Sequence, residues 1–325
     1  MDQIDNDFVI LEKVISDMGG KIEEFIPERK CFRASVLGKH ILLKKFISIT
    51  RQSLVGAKLT SCKDITHKLL IERSLPSPAA EFFYNNTFNR HEAKKKFDNM
   101  TYPIILKNAI GTMSRGIFPN IKNVKQAMKI LKKWLPRYKS MIAQRMLFGR
   151  EYRILVLGNK VIGALEMIHP HVIGDGVSTI KKMIKEKQLT TKSKTKFDKH
   201  LTQTLKDQGV TLRSVVEKGK AIYIRRNSCL AEGGETKDVT DIVHKDVRGI
   251  CVAASKAVGR YIVGLDVMCD DISQDPKKSS FYILEMNGKP DMYIHYNPTH
   301  GETRNVIKEV INFLADVSTL PQAND

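Results

Sequence analysis

Two apolar runs in this 325-residue chain, YIVGLDVMCD (261–270) and FYILEMNGKP (281–290), each hold a carboxylate that a covered strand cannot leave bare. Their branched and aromatic residues suit a packed sheet. A lone charge there is too costly, so Asp266 must be paired, protonated or bound to a metal. In FYILEMN side chains alternate between faces, which puts Glu285 and Asn287 on the same side before Gly288 and Pro290 break the strand. Asp266, Glu285 and Asn287 are hard oxygen donors of the kind Mg²⁺ takes, a cation that also keeps waters and substrate phosphates around it. The competing reading is a carboxylate pair satisfied by lysine or backbone N–H.

The remaining periodicities predict a mixed α/β (α+β) chain with many antiparallel pairs. Residues 5–18 read as an amphipathic helix stopped at Gly19-Gly20, followed by short strands at KIEEFI, CFRASV and HILLKK. SCKDITHKLLIERSLPSP reads as a helix from near Ser61 that ends before Pro76. NVKQAMKILKKW has helical spacing of Val124, Met128, Ile130 and Leu131. EYRILVLGNKVIGALEMI is a hairpin turning at Gly158-Asn159. KAIYIRR is a further strand, HKDVRGICVAASKAVG a long helix, and the lysine-rich stretch 185–200 is expected to be disordered.

No apolar run reaches the length of a membrane span, and no signal-peptide pattern opens the sequence. Five scattered cysteines without a CxxC pair argue against a disulfide framework or a zinc ribbon and for a reducing cytosol. The formal net charge of +19 raises a nucleic-acid reading. The basic runs HEAKKK, KILKKW and 181–200 lack interleaved aromatics, however, and no nucleic-acid-binding signature occurs. A field that gathers anionic nucleotides or acidic substrates accounts for the same charge.

Lys107 closes the strand YPIILK and is followed by IGTMSRG (110–116). Backbone N–H groups of such a loop and a neighbouring lysine can hold a polyphosphate. The stretch is neither a Walker A loop nor a GxGxxG fingerprint.

Six segments in order, SCKDITHKLL, GREYRILVLGNKVIGA, HVIGDGVSTIKKMI, EGGETKDVTDIVH, GLDVMCDDIS and EMNGKPDMYIHYNPTHGETRNV, give the chain its resemblance to the ATP-grasp ligases. It is most similar to the module shared by cyanophycin synthetase and the bifunctional glutathione-synthesising enzymes. The resemblance covers about residues 5–310. It implies an ATP-grasp fold with nucleotide held between a central lid-bearing subdomain and a C-terminal one. The matching segments are 1–55 for a short N-terminal subdomain, 56–143 for the central one and 144–325 for the C-terminal one.

By resemblance, Asp266, Glu285 and Asn287 match Mg²⁺ ligands, with Mn²⁺ as an alternative. Lys63 and Lys107 match the nucleotide lysines, and Gly111, Ser114 and Gly116 lie in the phosphate-covering loop. Gln144, Arg145, Met146 and Leu147 match the adenine hinge, and Glu151 a nucleotide-binding glutamate. Arg153 matches a substrate- or phosphate-facing arginine, and Arg225, with Arg226 beside it, the arginine that steadies the transferred phosphoryl group. His295, Arg304 and Asp291 match positions near the substrate pocket. The sequence departs from relatives at Asp291, at Cys229 and in ALEMI, which implies a different substrate. His169 and His171 with His295 or His300 are a weaker zinc alternative.

The implied activity is an ATP- and Mg²⁺-dependent, ADP-forming carboxylate–amine ligase. It acts on an amino acid or short peptide through an acyl phosphate in the cytoplasm. Alternatives are addition of amino acids to a peptide or protein acceptor, a nucleotide-regulated non-catalytic protein, and a nucleic-acid binder. Small-molecule substrates are the expected partners, without membrane or nucleic acid; assembly as a homodimer is left open.

Overall fold

The computed structural model describes residues 3–26, 31–44, 47–48, 54–110, 116–191 and 193–316. They fall into two compact units. The first draws on Met1–Ala164, Thr240–Tyr296 and Arg304–Asp325, the second on Leu165–Val239 and Asn297–Thr303.

The first unit opens with α1 (Gln3–Asp17) and a sheet in the order β1 (Lys21–Ile26), β2 (Cys31–Val36), β3 (Lys39–Lys44) and β4 (Ile47–Ser48). Leu11, Val14 and Ile15 share one helical face and bury against Phe32, Ala34 and Leu43. The last helix, α10 (Val306–Ala315), brings Ile307, Val310 and Ile311 into the same core.

After α2 (Leu54–Leu59) and α3 (Lys63–Glu72), a second antiparallel sheet forms in the order β5 (Ala80–Tyr84), β8 (Ser140–Arg145), β6 (Ile104–Asn108), β7 (Ile117–Ile121). One face buries Ile104, Leu106, Met141 and Ala143 under α4 (Arg90–Asp98) and α5 (Val124–Tyr138). Side-chain oxygens of Asn89 and Asn123 cap these helices by accepting backbone N–H groups. On α5 the fully buried stripe is Ala127, Leu131 and Leu135; the expected Val124, Met128 and Ile130 flank it and are only half-buried. The alternation that sends Ile104 and Leu106 to this core sends Lys107 to the opposite face, where it pairs in register with Ile142.

The hairpin β9 (Arg150–Leu157) and β10 (Lys160–Ile168) turns at Gly158-Asn159 as the sequence predicts. Helix α8 (Lys245–Ala257) precedes β14 (Ile262–Cys269), which pairs with β9 on one side and β15 (Phe281–Asn287) on the other. Short α9 (Tyr293–Tyr296) follows.

In the second unit, the end of β10 pairs with β13 (Glu235–Asp238), and β11 (His171–Ile173) pairs with β12 (Ala221–Tyr223). The strand expected over KAIYIRR shrinks to Ala221–Tyr223. The expectation of disorder at 185–200 is wrong for most of that stretch: α6 (Ile180–Thr191) runs into it and α7 (Lys199–Lys206) starts before it ends. Ile180, Met183, Ile184 and Leu201 bury apolar area while Lys181, Lys182 and Lys185 stay exposed. Between the helices, Thr195 Oγ1 donates to the Glu232 carbonyl at 2.6 Å and Gln188 Nε2 to the Thr195 carbonyl at 2.7 Å. Local polarity concealed these contacts.

Candidate active site

The pairing of β9, β14 and β15 assembles the carboxylates. Asp266 lies opposite Arg153 on one side and Glu285 on the other. Arg153 donates from Nε to Asp266 Oδ1 at 2.8 Å and from NH2 to Oδ2 at 3.2 Å, a two-pronged bond that suits a planar guanidinium. Burial opposes the Arg153 charge, but Asp266, Glu151 and Asp291 together outweigh it and leave its pKa raised. Asn287 Nδ2 donates to Asp266 Oδ2 at 3.4 Å.

Simple alternation would put Ile283 and Glu285 on one face, yet Ile283 is buried and Glu285 only half-buried. The register slips between Asp266 and Val267, so that Val267 faces Ile283 and Leu284 is the extra residue. Such a bulge reverses the phase of the strand. Glu285 thereby turns away from the apolar side, and the Leu284 carbonyl stands within 3.5 Å of Lys107 Nζ.

Helix α3 supplies the next side chains. Lys63, His67 and Leu70 follow i, i+4, i+7 spacing and share a face. The backbone N–H of Lys63 donates to the Ala109 carbonyl at 2.9 Å, tying the helix start to the exit of β6. Lys63 Nζ lies 3.1 Å from Glu285 Oε1. A Cβ at Gly288 would come within 2.3 Å of Thr60 Oγ1, so any larger residue would have to displace that buried side chain.

These elements enclose a crevice lined by Lys63, His67, Ser77, Lys107, Gln144 and Glu285. Lys107 is nearly buried, and its pKa falls to about 8. Burial is the main cause; Glu285 and Asp266 oppose it, while Lys63 adds to it. Burial and then the Lys107 charge push His67 down to about 4, so its ring is neutral at neutral pH. His67 and Ser77 are the residues that sequence reading passed over. The i+4 spacing from Lys63 was the available signal.

A divalent cation fits this chemistry. Asp266, Glu285 and Asn287 carry oxygen donors on adjacent strands, and both carboxylates are matched by cations, Arg153 and Lys63, that a metal could replace. The set is two carboxylates and an amide. No cluster of three His, Cys, Asp or Glu residues suited to a metal occurs among the described residues, so the histidine zinc alternative has no support.

The other expected residues distribute as follows. Gln144 is buried on β8; Arg145 is exposed, and the half-buried Met146 donates its N–H to the Pro103 carbonyl at 2.9 Å. Leu147 is half-buried, and Glu151 lies on β9 two residues before Arg153. Gly116 takes φ 77°, and a Cβ there would meet the Tyr138 ring at 3.0 Å. Gly111 and Ser114 lie outside the described residues. Asp291 Oδ1 accepts from the Tyr293 N–H at 3.0 Å. His295 is buried against Gly163, where a Cβ would come within 2.7 Å of its Nδ1. Arg304 donates to Asp241 at 2.5 Å. In the second unit, Arg225 is buried, with Nε 3.0 Å from Glu232 and NH2 3.4 Å from Asp198. Its neighbour Arg226 pairs with Asp207.

No family model matches the chain. Among solved structures, a bifunctional glutathione synthetase from Pasteurella multocida superposes with a TM-score of 0.69 at 22% identity, covering 94% of this chain and 43% of that one. The architecture is therefore that of the ATP-grasp fold. Among curated proteins, a cyanophycin synthetase of Trichormus variabilis is 31% identical over 276 residues, 81% of this chain and 30% of that protein. A glutathione biosynthesis bifunctional protein of Clostridium perfringens is 28% identical over 284 residues, 84% of this chain and 36% of that protein. The chain spans about a third of the length of these curated relatives. It is a member of the ATP-grasp superfamily related to both.

Among the described residues, no helix is long and apolar enough to cross a membrane.

Proposed function

We propose that this protein is an ATP- and Mg²⁺-dependent ligase that joins a carboxylate to an amine, using an amino acid or short peptide. One observation carries the reading: two carboxylates face each other across β14 and β15 with Arg153, Lys63 and Lys107 gathered around them. A site of alternating charge buried in a crevice is costly to the fold. It makes sense where a highly charged substrate completes it.

A substrate carboxylate oxygen attacks the γ-phosphorus of ATP. The bond from that phosphorus to the β,γ-bridging oxygen breaks, ADP departs with the electron pair, and an acyl phosphate remains. An amine then attacks the acyl carbon, gives up a proton and expels phosphate, leaving an amide. Lys63 and Lys107 neutralise phosphate charge, and Arg153, two-pronged and planar, suits a carboxylate or acyl phosphate oxygen pair. Asp266, Glu285 and Asn287 would hold Mg²⁺, which when bound offsets charge on the phosphate oxygens. No covalent nucleophile is required; alignment and charge do the work.

A second reading, transfer onto an acidic peptide or protein, draws on α5. Lys125, Lys129, Lys132, Lys133 and Arg137 occur there with no acidic residue in the helix.

The test is phosphate release from Mg-ATP with pooled amino acids and dipeptides, reading nucleotide products and new masses together. ADP, phosphate and a mass equal to acid plus amine minus water is the expected result. AMP and pyrophosphate would overturn the acyl-phosphate route. ATP binding without turnover on every small pool would favour the peptide or protein acceptor.

A further inference from the structure

The crevice holds a polar relay that the phosphate chemistry does not use. His67 lies on α3, Ser77 follows that helix, and Gln144 sits on β8; His67 and Gln144 are 5% and 3% exposed. His67 Nδ1 is 2.7 Å from Ser77 Oγ and 3.3 Å from Gln144 Nε2. We propose that His67 is a positioning residue that holds the Gln144 amide with its NH₂ toward Nδ1 and its oxygen toward the crevice, which then takes a 6-aminopurine nucleotide over a 6-oxopurine one. The inference rests on the ATP reading above and adds the selectivity device to it.

The contact lengths favour one direction. Ser77 has a single hydroxyl proton and two acceptors in reach, Nδ1 at 2.7 Å and the Ile283 carbonyl at 3.4 Å. The shorter contact takes it. Nδ1 then presents a lone pair, as a neutral ring allows, and its proton sits on Nε2. The neutral state agrees with the downward push from burial and from Lys107. The one lone pair on Nδ1, taken by the Ser77 hydroxyl at 2.7 Å and shared with the Gln144 NH₂ at 3.3 Å, repels the amide oxygen, so the flipped amide is disfavoured. Free rotation would otherwise let a glutamine serve a 6-amino or a 6-oxo group equally well, since its two ends are nearly isosteric.

With the amide held, Oε1 is the end left to the crevice. No described residue donates to it. The Gln144 side chain is nearly buried, so few waters can reach this oxygen, and a ligand amino group would pair with it. A 6-oxo group would instead set two acceptor oxygens against each other. An unpaired buried acceptor costs about 1–3 kcal/mol, a discrimination on the order of 10- to 100-fold. Phe82, whose ring centroid is 5.6 Å from that of His67, packs the imidazole from the side.

The test compares dissociation constants of Mg-ATP and Mg-ITP, which differ in the group at purine position 6, by equilibrium dialysis. The proteins are the full chain and its His67→Leu, His67→Asn and Ser77→Ala variants. The wild type is expected to prefer ATP by roughly 10- to 100-fold. His67→Leu should bring the ratio down at least about tenfold, chiefly by losing ATP affinity rather than ITP affinity. His67→Asn can place an amide oxygen near the position of Nδ1 and should retain most of the preference. Should His67→Leu not fold, Ser77→Ala carries the test: it frees Nδ1 to hold the proton, and the ratio should fall.

An unchanged ratio in a folded His67→Leu, or in Ser77→Ala where that variant carries the test, overturns the relay. So does a wild type that binds both nucleotides equally, and in either case the ATP reading survives. A wild type that binds neither nucleotide overturns the ATP reading and the relay with it.

Discussion

Lys107→Met should make the unliganded protein more stable. Burial holds the Lys107 pKa at about 8 against an ordinary 10.5. At about 1.4 kcal/mol per tenfold change in proton affinity, keeping that ammonium charged in the folded state costs on the order of 3 kcal/mol below pH 8. Between about pH 8 and 10.5 the unfolded chain holds the proton more often than the folded one, so this cost fades as pH rises and is gone above 10.5. Methionine fills a similar volume, and Glu285 keeps Lys63 at 3.1 Å as its partner. The expected gain is about 1–3 kcal/mol at pH 7, shrinking toward zero by pH 10.5. Urea unfolding of both proteins, followed by far-UV circular dichroism in buffer free of metal and nucleotide, measures it. A variant less stable than wild type at pH 7, or a gain as large at pH 10.5 as at pH 7, would refute the reasoning. Under the ligase reading the same substitution removes a phosphate-facing charge, so stabilisation by added Mg-ATP should be lost.

Glu285→Gln should lower ATP turnover by about 100-fold or more while the far-UV spectrum stays native, because a neutral amide replaces a charge beside Lys63 and Lys107; phosphate release checks it. Leu131→Ala removes a fully buried side chain under the second sheet and should cost about 2–5 kcal/mol in urea unfolding. Gly174→Ala would put a Cβ within 2.2 Å of the Glu217 carbonyl oxygen, a backbone atom that cannot rotate away. It should destabilise the second unit by about 1–3 kcal/mol, seen as faster hydrogen exchange over β11 and β12.

Much of this architecture is written locally. The carboxylate of Asp266 among apolar neighbours announces a site because its burial has few solutions, and the hairpin at Gly158-Asn159 follows from turn chemistry. Glu285 was found for a reason that is only half right. Alternation places it with Asn287, but it also places it with Ile283, and the extra residue at Leu284 separates them. A bulge is a relation between two strands, and one strand's sequence does not display it. His67 escaped notice because a histidine on a helix has no meaning until Ser77 and Gln144 arrive from elsewhere. The stretch 185–200 misled through its lysines: Lys187 lies between Glu235 and the His171 carbonyl, partners dozens of residues away or on another strand.

The chain has a single tryptophan, and the fold spends it in one layer. Trp134 stacks on Tyr138 at 5.4 Å with an 11° tilt, and Phe118 approaches its ring at 5.4 Å. Lys133 and Arg137 sit over the indole at 5.4 and 5.5 Å. All indole emission therefore comes from the helices covering the second sheet, whereas circular dichroism sums both units. A fluorescence melt laid over a dichroism melt asks whether the α4–α5 layer loosens before the rest, with no label attached. Because Tyr138 also packs beside Gly116, the same native emission is an optical readout placed next to the end of the IGTMSRG segment.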